Sequence, residues 1–536
     1  MNYRLFSQAL AILLLFASTP ALCGQTASLV KDISPQPVTE GRSSLPLELL
    51  AFHDKVLFSA TEPSSGRELW SSDGEDRGTH LLADFCPGEC DSTPRILGAT
   101  AAAVVGYTEI GSDFDPLVEL WRSDGTREGT FLLPSPADPV VLSSGFDFFV
   151  ETAFLANAVY VSGCNRGQGC GLWRSDGTPA GTRLVVALDA NGGFYDLTPG
   201  ASRLFFLKNQ TLWISDGTPG GTRAVTDLPQ GAGLMTALGD RALFTAGGPD
   251  GNELWVSDGT ATGTRVLTSF AAEGPFNQTF WLKPMGGKVY FVADDVLHGA
   301  EIWATDGTSA GTRQVTDISF YDPFQHQGDS EDPIGLRSTD LELLGDRLVF
   351  WATDGLHGFQ PWSTKGGTTA PLCTGCTFTN PRAALVKVGS RILFTALEPQ
   401  HTAAQVWTTD GTTQGTSLLH VACTSGCQET DLDPTLFLGS GFFTVQTGPG
   451  RTALWRSDGT AAGTSLFASP SYSSPRMAAL GSTLFYAGLS PDNGYGAELW
   501  ASDGTPEGTR LVTDISRGNA STSIDGLIAA GQNLFF

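Results

Sequence analysis

One stretch, Glu498-Leu-Trp-Ala-Ser-Asp-Gly-Thr-Pro-Glu-Gly-Thr509 followed by Arg510-Leu-Val-Thr-Asp-Ile515, recurs along nearly the whole chain. Any fold open to the chain must therefore be an array of whatever this stretch forms. Anchored on tryptophan, the copies sit at Trp70, Trp121, Trp173, Trp213, Trp255, Trp303, Trp362, Trp407, Trp455 and Trp500. Their mean spacing is about 48 residues, the range of propellers and related arrays. An aspartate-glycine pair follows in nine copies, at Asp73, Asp124, Asp176, Asp216, Asp258, Asp306, Asp410, Asp458 and Asp503. The seventh copy departs, with Lys365 in place of the aspartate, and the first carries Glu75 where the others have threonine.

The stretch reads as a hairpin: an apolar strand holding the tryptophan, a turn on Asp-Gly and the following Gly, then a second strand. The aspartate is read first as a turn residue, its carboxylate accepting from the backbone N–H two residues on while glycine supplies a positive φ. Between hairpins lies a second pattern, seen in Leu341 to Ala352, Leu238 to Ala246 and Leu480 to Ala487, which predicts two short strands meeting at a glycine turn. Each unit thus holds about four strands and no helical period, the content of a propeller blade. The prediction is an all-β β-propeller of about ten four-stranded repeats. A single large toroid is favoured over two smaller propellers, with any break expected in the gap between Trp303 and Trp362.

A lone four-stranded sheet cannot cover both its faces, so the tryptophans need neighbouring sheets. The chain ends fit a closed ring. Ser28 to Ile33 matches the strand after the hairpin, and Asp525 to Phe536 matches the strand pair before one.

Residues 1–23 read as a signal peptide, with Arg4, an apolar run from Leu5 and small residues Ala21 and Cys23. The alternative, a lipidated Cys23, is disfavoured by Leu22 before it. Residues 24–536 form the repeat array, with no run long enough for a transmembrane helix. A secreted or cell-surface location is expected. The net charge of −25 excludes nucleic acid as a partner, since phosphate binding needs a basic surface. It suits a monomer that repels its own copies.

The remaining eight cysteines fall into local couples: Cys86/Cys90, Cys164/Cys170, Cys373/Cys376 and Cys423/Cys427. In an exported chain these are read as disulfides, with a zinc site as the rival for the last two couples.

With these motifs in view, the chain resembles the bacterial ELWxxDGT repeat family, whose consensus continues as GTxLVxDI. The resemblance implies an exported repeat protein and brings no catalytic residues. The chain's seven histidines are scattered without metal-ligand spacing, and no nucleophile elbow, Walker loop or HExxH motif is present. His298 and His357 are read as turn residues. No cofactor is expected, although a rim of nine aspartates, with 247–253 and 329–332, raises Ca²⁺ as a possibility. The expected function is a non-catalytic binding scaffold for extracellular protein or glycan. The alternative is an extracellular polysaccharide hydrolase or lyase, which calls for inward-facing carboxylates at the axis.

Overall fold

Ten successive blades carry the ten tryptophans, each on the third strand of its blade. The computed structural model describes residues 29–31, 33, 44–111, 117–135, 139–144, 151–165, 169–188, 194–248, 251–270, 281–294, 300–318, 341–353, 359–373, 376, 378, 385–396, 405–421, 435–448, 451–471, 477–490, 495–513, 515, 524 and 526–536. The segment assigned to a signal peptide, Cys423, Cys427, His298, His326, His357, His401 and residues 329–332 lie outside them.

No helix occurs among the described residues. Blade 1 spans 47–83, blade 2 95–144, blade 3 152–187, blade 4 195–227, blade 5 233–269, blade 6 282–314, blade 7 341–371, blade 8 386–421, blade 9 435–471 and blade 10 477–513. Strand order within a blade follows the chain, first strand to fourth, all antiparallel. A last hairpin, Ile528–Ala530 with Asn533–Phe535, forms a two-stranded sheet.

Burial explains why second strands read as near-continuous apolar runs. Leu204–Lys208 is buried at every residue, and Arg391–Ala396 at all but the first. Such a strand has a neighbouring blade on each face, so alternation with polar residues would leave unpaired polar groups inside.

The third strand places its tryptophan opposite an aromatic of the second strand. Phe206–Trp213, Phe244–Trp255, Phe291–Trp303, Phe394–Trp407 and Tyr486–Trp500 all stack within 24° of parallel. Blade 2 has Gly106 there instead, and Trp121 fills the space so closely that a side chain on Gly106 would overlap the indole. Seven blades share a bulge in the fourth strand opposite the step into the tryptophan, as where Leu69 pairs Ala83 but Trp70 pairs Leu81.

Two blades differ. In blade 2 the outer strand is in two pieces, Phe131–Leu132 and Val141–Ser144, and Val141 also pairs Cys164 of blade 3. Blades 2 and 3 are thereby fused into one nine-stranded sheet. Blade 7 is a regular four-stranded sheet despite losing the motif. Gly366 and Gly367, with φ of 60° and 85°, make a two-residue hairpin turn between Lys365 and Thr368.

Apolar clusters join every successive pair of blades. Val292, Ile302 and Met285 of blade 6 pack on Leu341, Leu348 and Phe350 of blade 7, so the expected weak point between Trp303 and Trp362 has a core like its neighbours. The circuit closes through the last hairpin. Leu527 and Leu534 pack on Phe485, Leu499 and Ala501 of blade 10. Ile528, Ala530 and Phe535 pack on Val56, Phe58 and Trp70 of blade 1. First strands contact first strands from blade to blade, which makes them the innermost layer. The fold is a β-propeller, one toroid of ten blades and a half-blade.

Candidate functional site at the inner rim

The Ser-Asp-Gly-Thr-x-x-Gly-Thr turns lie at one end of the blades, and their side chains bond mainly to themselves. In blade 4, Asp216 Oδ1 accepts from Thr218 N at 2.9 Å and Thr218 Oγ at 2.7 Å. Thr218 Oγ in turn accepts from Gly221 N at 3.0 Å, and Thr222 Oγ donates to Thr218 O at 2.7 Å. Ser215 Oγ accepts from Gly217 N at 3.0 Å and lies 2.7 Å from Thr222 Oγ. The backbone bond recurs at all nine aspartates. Bonds from threonine hold the Asp216, Asp258, Asp306 and Asp458 carboxyls below the usual range. The second glycine of each motif lies directly against the carboxylate, where any Cβ would overlap it.

The turns also tie blades together. Donors of one blade reach backbone carbonyls of the next turn: Lys55 to Gly125 at 3.1 Å, Arg203 to Asp258 at 3.1 Å, Thr408 to Gly459 at 2.7 Å and Arg456 to Gly504 at 2.9 Å. Asn533 of the last hairpin reaches Asp73 O at 3.2 Å in the same manner. Among the described residues no group of three or more His, Cys, Asp or Glu side chains is placed to hold a metal ion.

Every repeat tryptophan is buried or half-buried, Trp121 and Trp173 completely. Sequence reasoning missed the acid two residues before it. Glu301, 1% exposed, accepts from Thr316 Oγ at 2.5 Å and Ile318 N at 2.7 Å. Glu498 accepts from Ile515 N at 2.8 Å, and Glu68 accepts from Phe85 N, Cys86 N and Ser92 Oγ. The residue clamps the chain as it leaves the fourth strand. Burial raises the Glu68 carboxyl to about 7.

Three cysteine couples are disulfides: Cys86–Cys90, Cys164–Cys170 and Cys373–Cys376. Cys164 and Cys170 face each other across a register pair in blade 3.

At the opposite end from the motif turns, the first strands begin and the rim carries ionisable groups. First strands of blades 1, 4 and 5 each contain a bulge whose extra residue is left-handed: Glu48 (φ 57°), Asp196 (φ 56°) and Leu234 (φ 49°). Such a conformation re-aims a side chain out of the alternation of a strand. Glu48 Oε1 meets Arg95 Nη1 of blade 2 at 3.2 Å, and Arg95 Nε meets Glu109 Oε2 at 3.5 Å. Burial opposes the Arg95 charge, but Glu109 and Glu48 outweigh it and raise its pKa. Tyr107 beside them is pushed up by burial and by Glu109. Two blades further on, Glu151 Oε2 accepts from Leu197 N at 3.2 Å. Burial, with Glu151 close by, raises the Asp196 carboxyl. Exposed apolar side chains Leu47 and Leu234 stand at the same end of the innermost strands. The arrangement offers carboxylates and apolar contacts to a ligand at the mouth of the ring.

The strand order and closed circuit define the class, a β-propeller. Among solved structures, the chain is similar to the β-propeller domain of the Trilobed protease from Pyrococcus furiosus, which that work describes as having an open velcro topology. Identity is 13%, coverage 61% of this chain and 99% of that one, and the TM-score 0.28. It is similar also to puromycin hydrolase (13% identity, 84% and 60% coverage, TM-score 0.29) and to a prolyl endopeptidase (11%, 76% and 54%, 0.30). The chain spans little more than half the length of these last two. No protein-family model matches it, and no curated relative does.

The expectation of a non-catalytic scaffold for protein or glycan is corrected by this comparison, since the matched propellers belong to peptidases. The physical reason is that a catalytic site was expected as a deviation within one or two repeats. The rim groups are instead spread over blades 1 to 5, with Glu48, Arg95 and Glu109 meeting between blades 1 and 2 and Glu151 close to Asp196 of blade 4.

Proposed function

We propose that the propeller handles peptide for hydrolysis, admitting extended cationic or apolar peptide at its inner rim as the substrate-selecting part of a peptidase system. The observation that carries this is the pair of left-handed bulges that turn Glu48 and Asp196 out of their strands. Carboxylates there suit arginine, lysine or a peptide amino terminus, and Leu47 and Leu234 suit apolar side chains beside them. The repeat itself is assigned to the ELWxxDGT class, and the apolar leader and local disulfides support an exported protein.

The test is isothermal titration of the full chain with Arg-containing and Glu-containing peptides of equal length, alongside a peptide-cleavage assay. Arg-containing peptides bind better, and the preference shrinks with salt. In the double variant Glu48→Gln/Asp196→Asn the preference falls by about tenfold. Binding strengthens as pH rises through the raised Asp196 pKa, because the proton must leave before the carboxylate attracts a cation. Equal affinity for both peptides, or none for either, overturns the proposal.

A further inference from the structure

Phe154 is a large aromatic residue left partly bare on the wall of the ring. It lies on Thr152–Leu155, the first strand of blade 3, and is 38% exposed. Its neighbours Ala153 and Leu155 are buried and pack with Leu197, Leu204 and Phe206 of blade 4. Side chains alternate along a strand, so Phe154 points the other way, toward blade 2. There its ring lies over Gly98, on the first strand of that blade, where a Cβ would come within 2.8 Å of Phe154 Cζ. The ring is thus seated in a gap that only glycine leaves, with part of its surface in the opening.

The rim acids lie at a fixed offset from this ring. Glu151 immediately precedes the strand, and its carbonyl accepts from Ser162 N at 3.3 Å, so the ladder reaches it. Its carboxylate is on the blade 4 side, accepting from Leu197 N at 3.2 Å and lying close to Asp196. From residue 151 to residue 154 is about 10 Å along an extended strand, and the two side chains leave on opposite faces. Thr152–Leu155 pairs with Ala158–Asn165 on one edge, and its other edge carries no strand among the described residues. A peptide laid along that edge as an added strand presents its side chains in step with those of Glu151 and Phe154.

We infer that Phe154 determines specificity at the peptide site, taking an aromatic side chain three residues from the cationic residue held at Glu151 and Asp196. The ligand is an extended peptide with Arg or Lys and Phe, Tyr or Trp at that spacing, in either chain direction. A spacing of two or four directs the aromatic to the face of Ala153 and Leu155, which blade 4 already fills. The inference deepens the peptide-handling proposal and rests on it.

The probes are three heptapeptides, acetylated and amidated at their ends and titrated into the full chain by calorimetry. They are Phe-Ala-Ala-Arg-Ala-Ala-Phe, Ala-Phe-Ala-Arg-Ala-Phe-Ala and Ala-Ala-Ala-Arg-Ala-Ala-Ala. The first two share one composition, differ only in spacing and read alike in both directions. The first binds about fivefold tighter than the second, the worth of one aromatic pair. Phe154→Ala brings these two to equal affinity without altering the circular dichroism, since the ring lies outside the buried clusters of blades 2 to 4. Binding of the arginine peptide with no advantage for the three-residue spacing overturns the inference and leaves the peptide-handling proposal standing. An advantage that survives Phe154→Ala does the same. Absence of binding by all three peptides overturns both.

Discussion

Gly220 and Gly221 are neighbours in one turn, and their replacement by alanine should have opposite effects. A Cβ on Gly221 overlaps the Asp216 carboxylate, whereas one on Gly220 meets nothing within 4 Å. Neither glycine has a left-handed φ, so backbone strain does not enter. In Gly221→Ala the carboxylate must swing away, losing its bonds to Thr218 N and Thr218 Oγ. For an exposed carboxylate each is worth about 1 kcal/mol, so the loss is about 2 kcal/mol. Reduced freedom of the unfolded chain returns about 0.5 kcal/mol, leaving a net cost of about 1.5 kcal/mol. Gly220→Ala keeps the bonds and gains about 0.5 kcal/mol. The assay is urea unfolding followed by tryptophan fluorescence, with hydrogen exchange at Thr218 and Gly221 as the local probe. Asp216→Ala should cost about 2 kcal/mol alone. Combined with Gly221→Ala it costs hardly more, since the carboxylate that the methyl group displaces is already gone. Additive costs in the double variant, or equal stability of the two alanine variants, would refute the interlocked-turn account.

The clamp gives a second prediction. Glu301→Ala leaves Thr316 Oγ and Ile318 N without their buried acceptor and costs about 2–4 kcal/mol in urea unfolding, while Glu301→Gln, which keeps one acceptor oxygen, costs less than half of that. The Glu68 clamp is pH-dependent. Its folded pKa of about 7 lies above the unfolded value of 4.5, so its contribution is complete below about 4.5 and is lost as pH rises through about 7. Protection of the Phe85 and Cys86 amides, corrected for intrinsic exchange, should fall over that interval and stay level in Glu68→Gln; protection that rises instead would contradict the sign.

Much of the fold was legible because the repeat states it ten times over. A tryptophan strand, an Asp-Gly turn and a strand pair with a glycine turn are local signals. The carboxylate bond to the amide two residues on, now seen from Asp73 to Asp503, follows from turn chemistry alone. Blade 7 was harder, yet its Gly366-Gly367 pair was a readable hairpin turn, obscured only by comparison with the motif it replaces. The role of the motif's second glycine was not legible, because it arises from a side chain five residues away folding back over it. Nor were the rim groups. Glu48, Arg95 and Glu109 are spread over 61 residues of sequence and share no motif, and the left-handed bulge that exposes Glu48 leaves no mark in residue type. The buried acid of Glu301 was visible as part of the repeat, but its partners, Thr316 and Ile318, lie beyond the end of the fourth strand.

The two ends of the toroid are under different constraints. At the motif end, turn side chains bond within their own turns, and turn carbonyls receive donors from the adjacent blade, from Lys55–Gly125 round to Asn533–Asp73. A substitution there disturbs a seam as well as a turn, so variation for ligand recognition is costly. At the other end, the connections between second and third strands and between successive blades share no motif. The one-residue bulges there place charged or apolar residues toward the axis without altering the pairing beyond them. Blades 1, 4 and 5 use one bulge geometry to present glutamate, aspartate and leucine respectively, so the presented chemistry changes while the backbone device stays. Repetition thus holds the ring at one face and, on the proposed reading, leaves selectivity to the other, so the motif itself says little about function.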